Sequence, residues 1–246
     1  MKGLLVRVAA DQSVAGGRWN GPVDSRTGRF VYCAIPEATP VHPGMNKPYS
    51  LLSQSLAALG TILPEHLASR DMHLDPDFEH LTYGDQGEPG KRGEQIRTKL
   101  GRDDMLIFYA SLRDTEPALR LVYAIIGILV VEEIVLARDT ADESRWRENA
   151  HTRRRDRRQD IVVLGRPGVS GRLERCIPIG AWRTPEGQPD RRPCYRVQPS
   201  ILKEWGGLSV RDGFLQKSAN LPEFLDPERF MAWFRGHHPT LVQRNN

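Results

Sequence analysis

A chain of 246 residues with 39% hydrophobic side chains can bury a sizeable core, and no apolar run reaches the length of a bilayer span: the longest, Leu121 to Val131, is cut by Glu132 and Glu133. Three widely spaced cysteines, Cys33, Cys176 and Cys194, give neither a disulfide framework nor a paired-cysteine zinc signature. The net charge of +4 is too mild to name a partner, and the N-terminus, with Arg7 inside its short apolar run, lacks a signal-peptide core, so a cytoplasmic protein is expected.

In chain order, Leu4 to Ala9 reads as a strand, Gly16 to Pro22 as a turn-rich segment and Arg29 to Ile35 as a second strand. Ser50 to Leu59 is predicted helical, with Ser50 as cap and Gly60 as stop. His73-Leu-Asp-Pro-Asp77, with His80 three residues on, places two carboxylates and two imidazoles in a short loop. Alternation sets His73, Asp75 and Asp77 on one side of an extended segment. Pro76 imposes a turn there and no dedicated ligand spacing is present, so no metal is assigned; a polar loop facing nucleotide or substrate is favoured. Gly84 to Gly93 is a glycine-rich loop leading into a helix over Gly93 to Leu100, whose first amides suit an anion.

Asp103 to Arg113 and Leu121 to Leu136 are apolar, β-branched runs separated by the turn 114–120, the pattern of a β-hairpin in a buried sheet. Tyr83, Gly84, Arg92, Tyr109 and Arg113 form a polar and aromatic group suited to stacking on a base and pairing with a phosphate. From Arg145 to Arg158, seven arginines face only Glu148 and Asp156, with Asn149 and His151 among them. So dense a run either contacts phosphates or is a solvated loop. Strands are then predicted at Asp160 to Gly165, Leu173 to Ile179 and Tyr195 to Val197. A final helix, Pro227 to Phe234, sets Phe230, Trp233 and Phe234 at the spacing of a docking face. Phosphate-loop, dinucleotide and nucleophile-elbow signatures are absent.

The acidic turn, Leu106-Ile-Phe-Tyr109 and the strand that follows resemble the core hairpin of PUA-like and EVE-like barrels, which hold nucleic-acid bases. More of the chain is similar to the nucleotide modification associated domain 3 family. The similarity rests on Lys2, Leu5-Val-Arg7 and Asp11, on Gly16-Gly17, on Ala34-Ile-Pro-Glu37, on His73 to Asp77, on Asp104 to Arg113 and on Asn149-Ala-His151. That resemblance implies association with DNA base hypermodification.

The expected fold is α+β, a mixed, mainly antiparallel sheet or PUA-like barrel core with short flanking helices. It forms one domain over 1–246, divisible into 1–140 and 141–246. Two functional readings stay open. In an enzyme acting on a nucleotide or DNA base, Arg7, Asp11, Arg92 and Arg113 hold phosphate or base, with Tyr109 and Asn149 beside them, and His73, Asp75, Asp77 and His151 supply proton transfer or a metal. In a non-catalytic reader of modified DNA or RNA, Tyr109 and Arg113 line the mouth of a pocket while Arg153, Arg154, Arg155, Arg157 and Arg158 hold the backbone. A structural partner without its own ligand is the third possibility. Expected partners are DNA or a nucleotide, with RNA and other base-modification enzymes as further candidates, and no membrane. The sequence names no cofactor.

Overall fold

The computed structural model describes residues 1–116, 121–140, 148–156, 159–188, 190–215 and 220–246. The chain runs from β1 (Gly3–Arg7) through two short extended pieces, β2 (Pro22–Val23) and β3 (Ile35–Pro36), to a 3-10 turn at Tyr49–Leu52 that continues as α1 (Ser53–Ala57). After α2 (Glu65–Ala68) come β4 (Met72–His73), β5 (Thr82–Asp85) and α3 (Arg92–Lys99), then the hairpin strands β6 (Met105–Asp114) and β7 (Leu121–Leu136). The remainder is α4 (Ala150–Arg153), β8 (Ile161–Gly165), β9 (Gly171–Pro178), β10 (Gly180–Arg183), β11 (Cys194–Val197), α5 (Pro199–Glu204), α6 (Pro227–Gly236) and β12 (Leu241–Val242).

The hairpin is the spine of the fold. β6 and β7 pair antiparallel with a bulge between Phe108 and Tyr109. β1 runs parallel along the other edge of β6, Gly3 opposite Met105 and Arg7 opposite Tyr109, and β2 continues that edge at Arg113 and Asp114. The outer edge of β7 is long enough to be shared, with β9 beside Ala124 to Ile128 and β8 beside Val131 to Leu136. β5 extends the sheet from β8, and β12 from β9.

The result is the expected mixed, mostly antiparallel sheet, and it is open. Among the described residues its margins, β1 with β2 on one side and β5 on the other, do not pair with each other, so the barrel alternative is set aside.

Both faces of the sheet are covered, which is why the hairpin strands read as nearly unbroken apolar runs instead of alternating. Leu106, Phe108, Ala110 and Leu112 face one cluster, with Leu4, Val6, Phe78 and Tyr83; Met105, Ile107 and Tyr109 face another, with Ile125, Trp205 and Phe230. Helix α6 belongs to the second. Asp226 caps it by accepting the Arg229 amide, Pro227 opens it, and Phe230 and Phe234 pack inward against a group that includes Trp205 and Phe224. The terminal aromatic stripe is thus a docking face.

The second strand expected over Arg29 to Ile35 is reduced to a single bridge from Phe30 to Val23 and the two residues of β3. Val31, Tyr32, Cys33 and Ala34 are buried, but their backbone serves irregular neighbours: the Ala10 amide donates to Cys33 O at 2.7 Å and the Val31 amide to Pro22 O at 3.1 Å. Their apolar composition signals burial without a ladder. The three cysteines are unpaired thiols, and no described helix is long and apolar enough to cross a membrane.

Candidate functional site

The loop after β4 is built around Asp77. Its amide and carbonyl exchange hydrogen bonds with Thr82, while Oδ1 accepts from the Glu79 and His80 amides, an Asx turn that folds the chain back into β5. The tail closes over the same loop: Asn245 accepts from the Phe78 amide and donates to Asp77 Oδ1, and Asn246 pairs with both backbone groups of Tyr32. With the loop fixed, Asp75 Oδ1 accepts from the Gly84 amide at 2.8 Å and from Asn149 Nδ2 at 3.0 Å. Asn149 caps α4, its Oδ1 accepting the His151 amide at 2.8 Å, so one asparagine positions both the carboxylate and the imidazole.

His73, Asp75 and His151 come together there. One ligand-capable atom from each lies within 4.8 Å of the others, and the two imidazoles meet edge to face at 4.9 Å. His151 Nδ1 lies 2.6 Å from Asp160 Oδ2, and its Nε2 lies 3.7 Å from Asp75 Oδ2. His73 Nδ1 lies 2.7 Å from Glu37 Oε2. Arg154 Nη2 is 3.1 Å from both Glu37 Oε1 and His73 Nδ1. The carboxylate sits between two donors, so Nδ1–H and the guanidinium both donate to Glu37.

Electrostatics agree with that assignment. Burial pushes His73 down to about 4, against the opposing pull of Glu37, so the ring is neutral near pH 7. Burial also opposes ionisation of Glu37, but the hydrogen bond from His73 and the charge of Arg154 outweigh it and hold the carboxyl near 2. Asp75 goes the other way. Burial lifts it to about 6, although His151, the Gly84 amide and Asn149 pull it back.

The three side chains form part of the wall of a cavity of about 650 Å³. Arg7, Asp11, Lys91, Arg92 and Arg154 line it as well. The lining arginines are held in place: Arg7 by Asp11 at 3.2 Å and by Ser111, Arg92 by Asp85 at 2.8 Å and by the Tyr83 hydroxyl. A model of the nucleotide modification associated domain 3 matches residues 2–212 of this chain. The chain belongs to that family. Comparisons with curated proteins and with solved structures return no match. As a member of the nucleotide modification associated domain 3 family, the protein is associated with nucleotide modification, and the matched span holds every cavity residue named above.

Within this nucleotide modification associated domain 3 fold, the residues singled out from sequence separate into two sets. Arg7, Asp11, His73, Asp75, Arg92, His151 and Arg154 share the cavity. Asn149 stands behind Asp75. Asp77 is off the cavity wall, fully buried, with Oδ2 3.4 Å from Arg153 Nη1. Tyr109 faces the opposite side of the sheet, where its hydroxyl donates to Leu215 O, and Arg113 lies at the far end of β6 beside β2, so neither is at the mouth of this cavity.

The arginine run is not one surface. Arg153 is 2% exposed and donates to Leu74 O and Glu148 O; Arg154 reaches Glu37; Arg155 is exposed with Nε on Val41 O. Arg145, Arg147, Arg157 and Arg158 lie outside the described residues. The amides expected to bind an anion at the start of α3 are partly used internally, Gly90 donating to Glu94 and Gly93 to Gln86. Sequence reasoning missed Glu37 and Asp160 as partners of the two histidines. Glu37 stands within the stretch Ala34 to Glu37 that carries the family resemblance and Asp160 at the start of a predicted strand, neither with a role.

Proposed function

We propose that the cavity receives a nucleotide, free or as part of a nucleic acid, and that His73, Asp75 and His151 act on it, making the protein a nucleotide-modifying enzyme. The observation that carries this reading is the convergence of those three titratable side chains on one wall of a cavity large enough for a nucleotide. A carboxylate on Nδ1 of each histidine fixes the tautomer and turns the Nε2 lone pair into a usable base or ligand. Lys91 and Arg92, on the lining of the same cavity, supply positive charge for phosphate.

A reader module fits less well. Recognition of a modified base calls for an apolar pocket with few ionisable groups, whereas this cavity collects His73, Asp75, Asp85 and His151 together with four cationic side chains. Tyr109 and Arg113, the residues proposed for such a mouth, are elsewhere.

The test is equilibrium binding of nucleotides and of single- and double-stranded DNA and RNA to the full chain, followed by mass analysis of nucleosides after incubation. Binding that competes at one site, with a mass change in the base or sugar that His151→Gln abolishes, supports the proposal. A protein that binds none of these ligands overturns it.

A further inference from the structure

We propose that His73, Asp75 and His151 bind one divalent first-row transition-metal ion, through the two imidazole Nε2 atoms and a carboxylate oxygen of Asp75. Four observations lead there.

The first is geometric. Ligand atoms on a common ion, each at about 2.0–2.2 Å, stand about 3–3.5 Å apart. The 3.7 Å from His151 Nε2 to Asp75 Oδ2 is too long for a hydrogen bond and close to that spacing. The three side chains need only small movements to close on an ion.

The second is the outer layer. Histidines that ligate metals characteristically donate the other ring N–H to a carboxylate, which orients the ring and raises the basicity of the ligating nitrogen. Both histidines have that partner, Glu37 on His73 at 2.7 Å and Asp160 on His151 at 2.6 Å. Asp75 is likewise oriented, its Oδ1 occupied by Gly84 and Asn149 so that Oδ2 faces His151.

The third is charge. Glu37, Asp75 and Asp160 surround the cluster with side chains 5–7% exposed, and Arg154 pairs with Glu37 and Asp160. Asp75 Oδ2 faces the His151 ring, where a divalent cation would meet its buried charge.

The fourth is access. All three ligands lie on the cavity wall, so coordination positions remain for water or substrate, as a reactive metal requires. Two nitrogens and one oxygen select a transition ion over magnesium or calcium, which take oxygen ligands.

The neighbouring group Asp77, Glu79 and His80 has comparable spacing, but Asp77 is already bonded by Arg153, Asn245 and two amides, and it supplies the contrast. The inference concerns the cavity of the proposed function without resting on it, because an ion titration contains no nucleotide.

The experiment strips the full chain with a chelator and titrates cobalt(II), followed by its visible absorption and by metal analysis. Anaerobic iron(II), manganese(II), zinc(II), magnesium and calcium are parallel arms that identify the preferred ion. The expected result is one tightly bound transition ion per chain. Binding is lost in Asp75→Asn and His151→Gln, each shown folded by its thermal melt in chelator, and is weakened about 10- to 100-fold in Asp160→Asn, an outer-layer change. His80→Ala leaves it unchanged. No saturable binding to the wild type, binding that survives Asp75→Asn and His151→Gln, or binding lost in His80→Ala instead would overturn the proposal.

Discussion

Gly84 and His151 are in direct contact: a methyl group on the Gly84 Cα would stand 2.4 Å from imidazole Cδ2 and 2.6 Å from the Asn149 side-chain oxygen. Neither neighbour can yield freely, since His151 is tied to Asp160 and Asn149 caps the helix that carries it. Gly84→Ala is expected to displace the imidazole, at a cost of about 1–3 kcal/mol in stability, and to abolish ion binding. Gly101→Ala, where nothing lies within 4 Å, is the matched control and stays within experimental error of the wild type. Denaturant melts paired with cobalt titration check both.

Arg153 and Arg155 are sequence neighbours with opposite roles. Arg153 is buried against Asp77 and two carbonyls, so Arg153→Ala strips the guanidinium from a buried carboxylate that keeps the half-buried His80 imidazole at 3.2 Å, and is expected to cost about 3 kcal/mol, whereas Arg155→Ala costs less than about 0.5 kcal/mol. Urea midpoints measured side by side separate the two. Equal midpoints would contradict the buried ion pair.

The raised carboxyl of Asp75 makes a pH-dependent forecast for the metal-free protein. In the fold it holds its proton up to about pH 6, whereas an unfolded aspartate releases it near 4. The folded state therefore binds more protons between those values, and the Asp75 contribution to stability falls as pH rises through that window. Asp75→Asn keeps the acceptor for Gly84 and Asn149 but cannot ionise. It should match the wild type near pH 4 and exceed it above pH 6 by on the order of 3 kcal/mol. Thermal melts in chelator across pH 4–8 measure the difference; a gap that narrows with rising pH would contradict the assignment.

Lys91 lines the cavity at the start of α3, held there by its backbone. Lys91→Ala should leave the melting temperature unchanged, weaken nucleotide binding several-fold and reduce the salt slope of polynucleotide binding by about one. Titrations at several salt concentrations read all of this. An unaltered slope would remove Lys91 from the phosphate contact.

Much of the sheet was legible because burial on both faces leaves a direct trace in composition. The Leu121 to Leu136 run and its partner strand could hardly be anything else in a chain of this size. Proline at position 227 and the aromatic spacing behind it likewise marked α6.

The site was legible only in part. His73, Asp75 and His151 stand out as residue types, and the loop around Pro76 reads as one facing nucleotide or substrate, but nothing local shows that Asp77 turns into the core while Asp75 does not. That division depends on Arg153 and Asn245, both distant in sequence. The roles of Glu37 and Asp160 as histidine partners are unreadable for the same reason, since a carboxylate gains its partner only when the sheet is assembled. Tyr109 misled through its tertiary partner. Its ring packs in the cluster with Ile125 and Trp205 and its hydroxyl is taken by Leu215 O, a contact more than a hundred residues away in sequence.

The hydrogen bonds from Asn245 and Asn246 to the Asp77 turn and to Tyr32 have a practical corollary. The region shared with the family ends at residue 212, yet the latch over its histidine-bearing loop is supplied from outside that region. A fragment trimmed to the family boundary would retain every wall residue but lose this clasp together with α6, β12 and the core side chains Phe224, Phe230 and Phe234. Such a fragment should lose ion affinity while its sequence at the site remains intact.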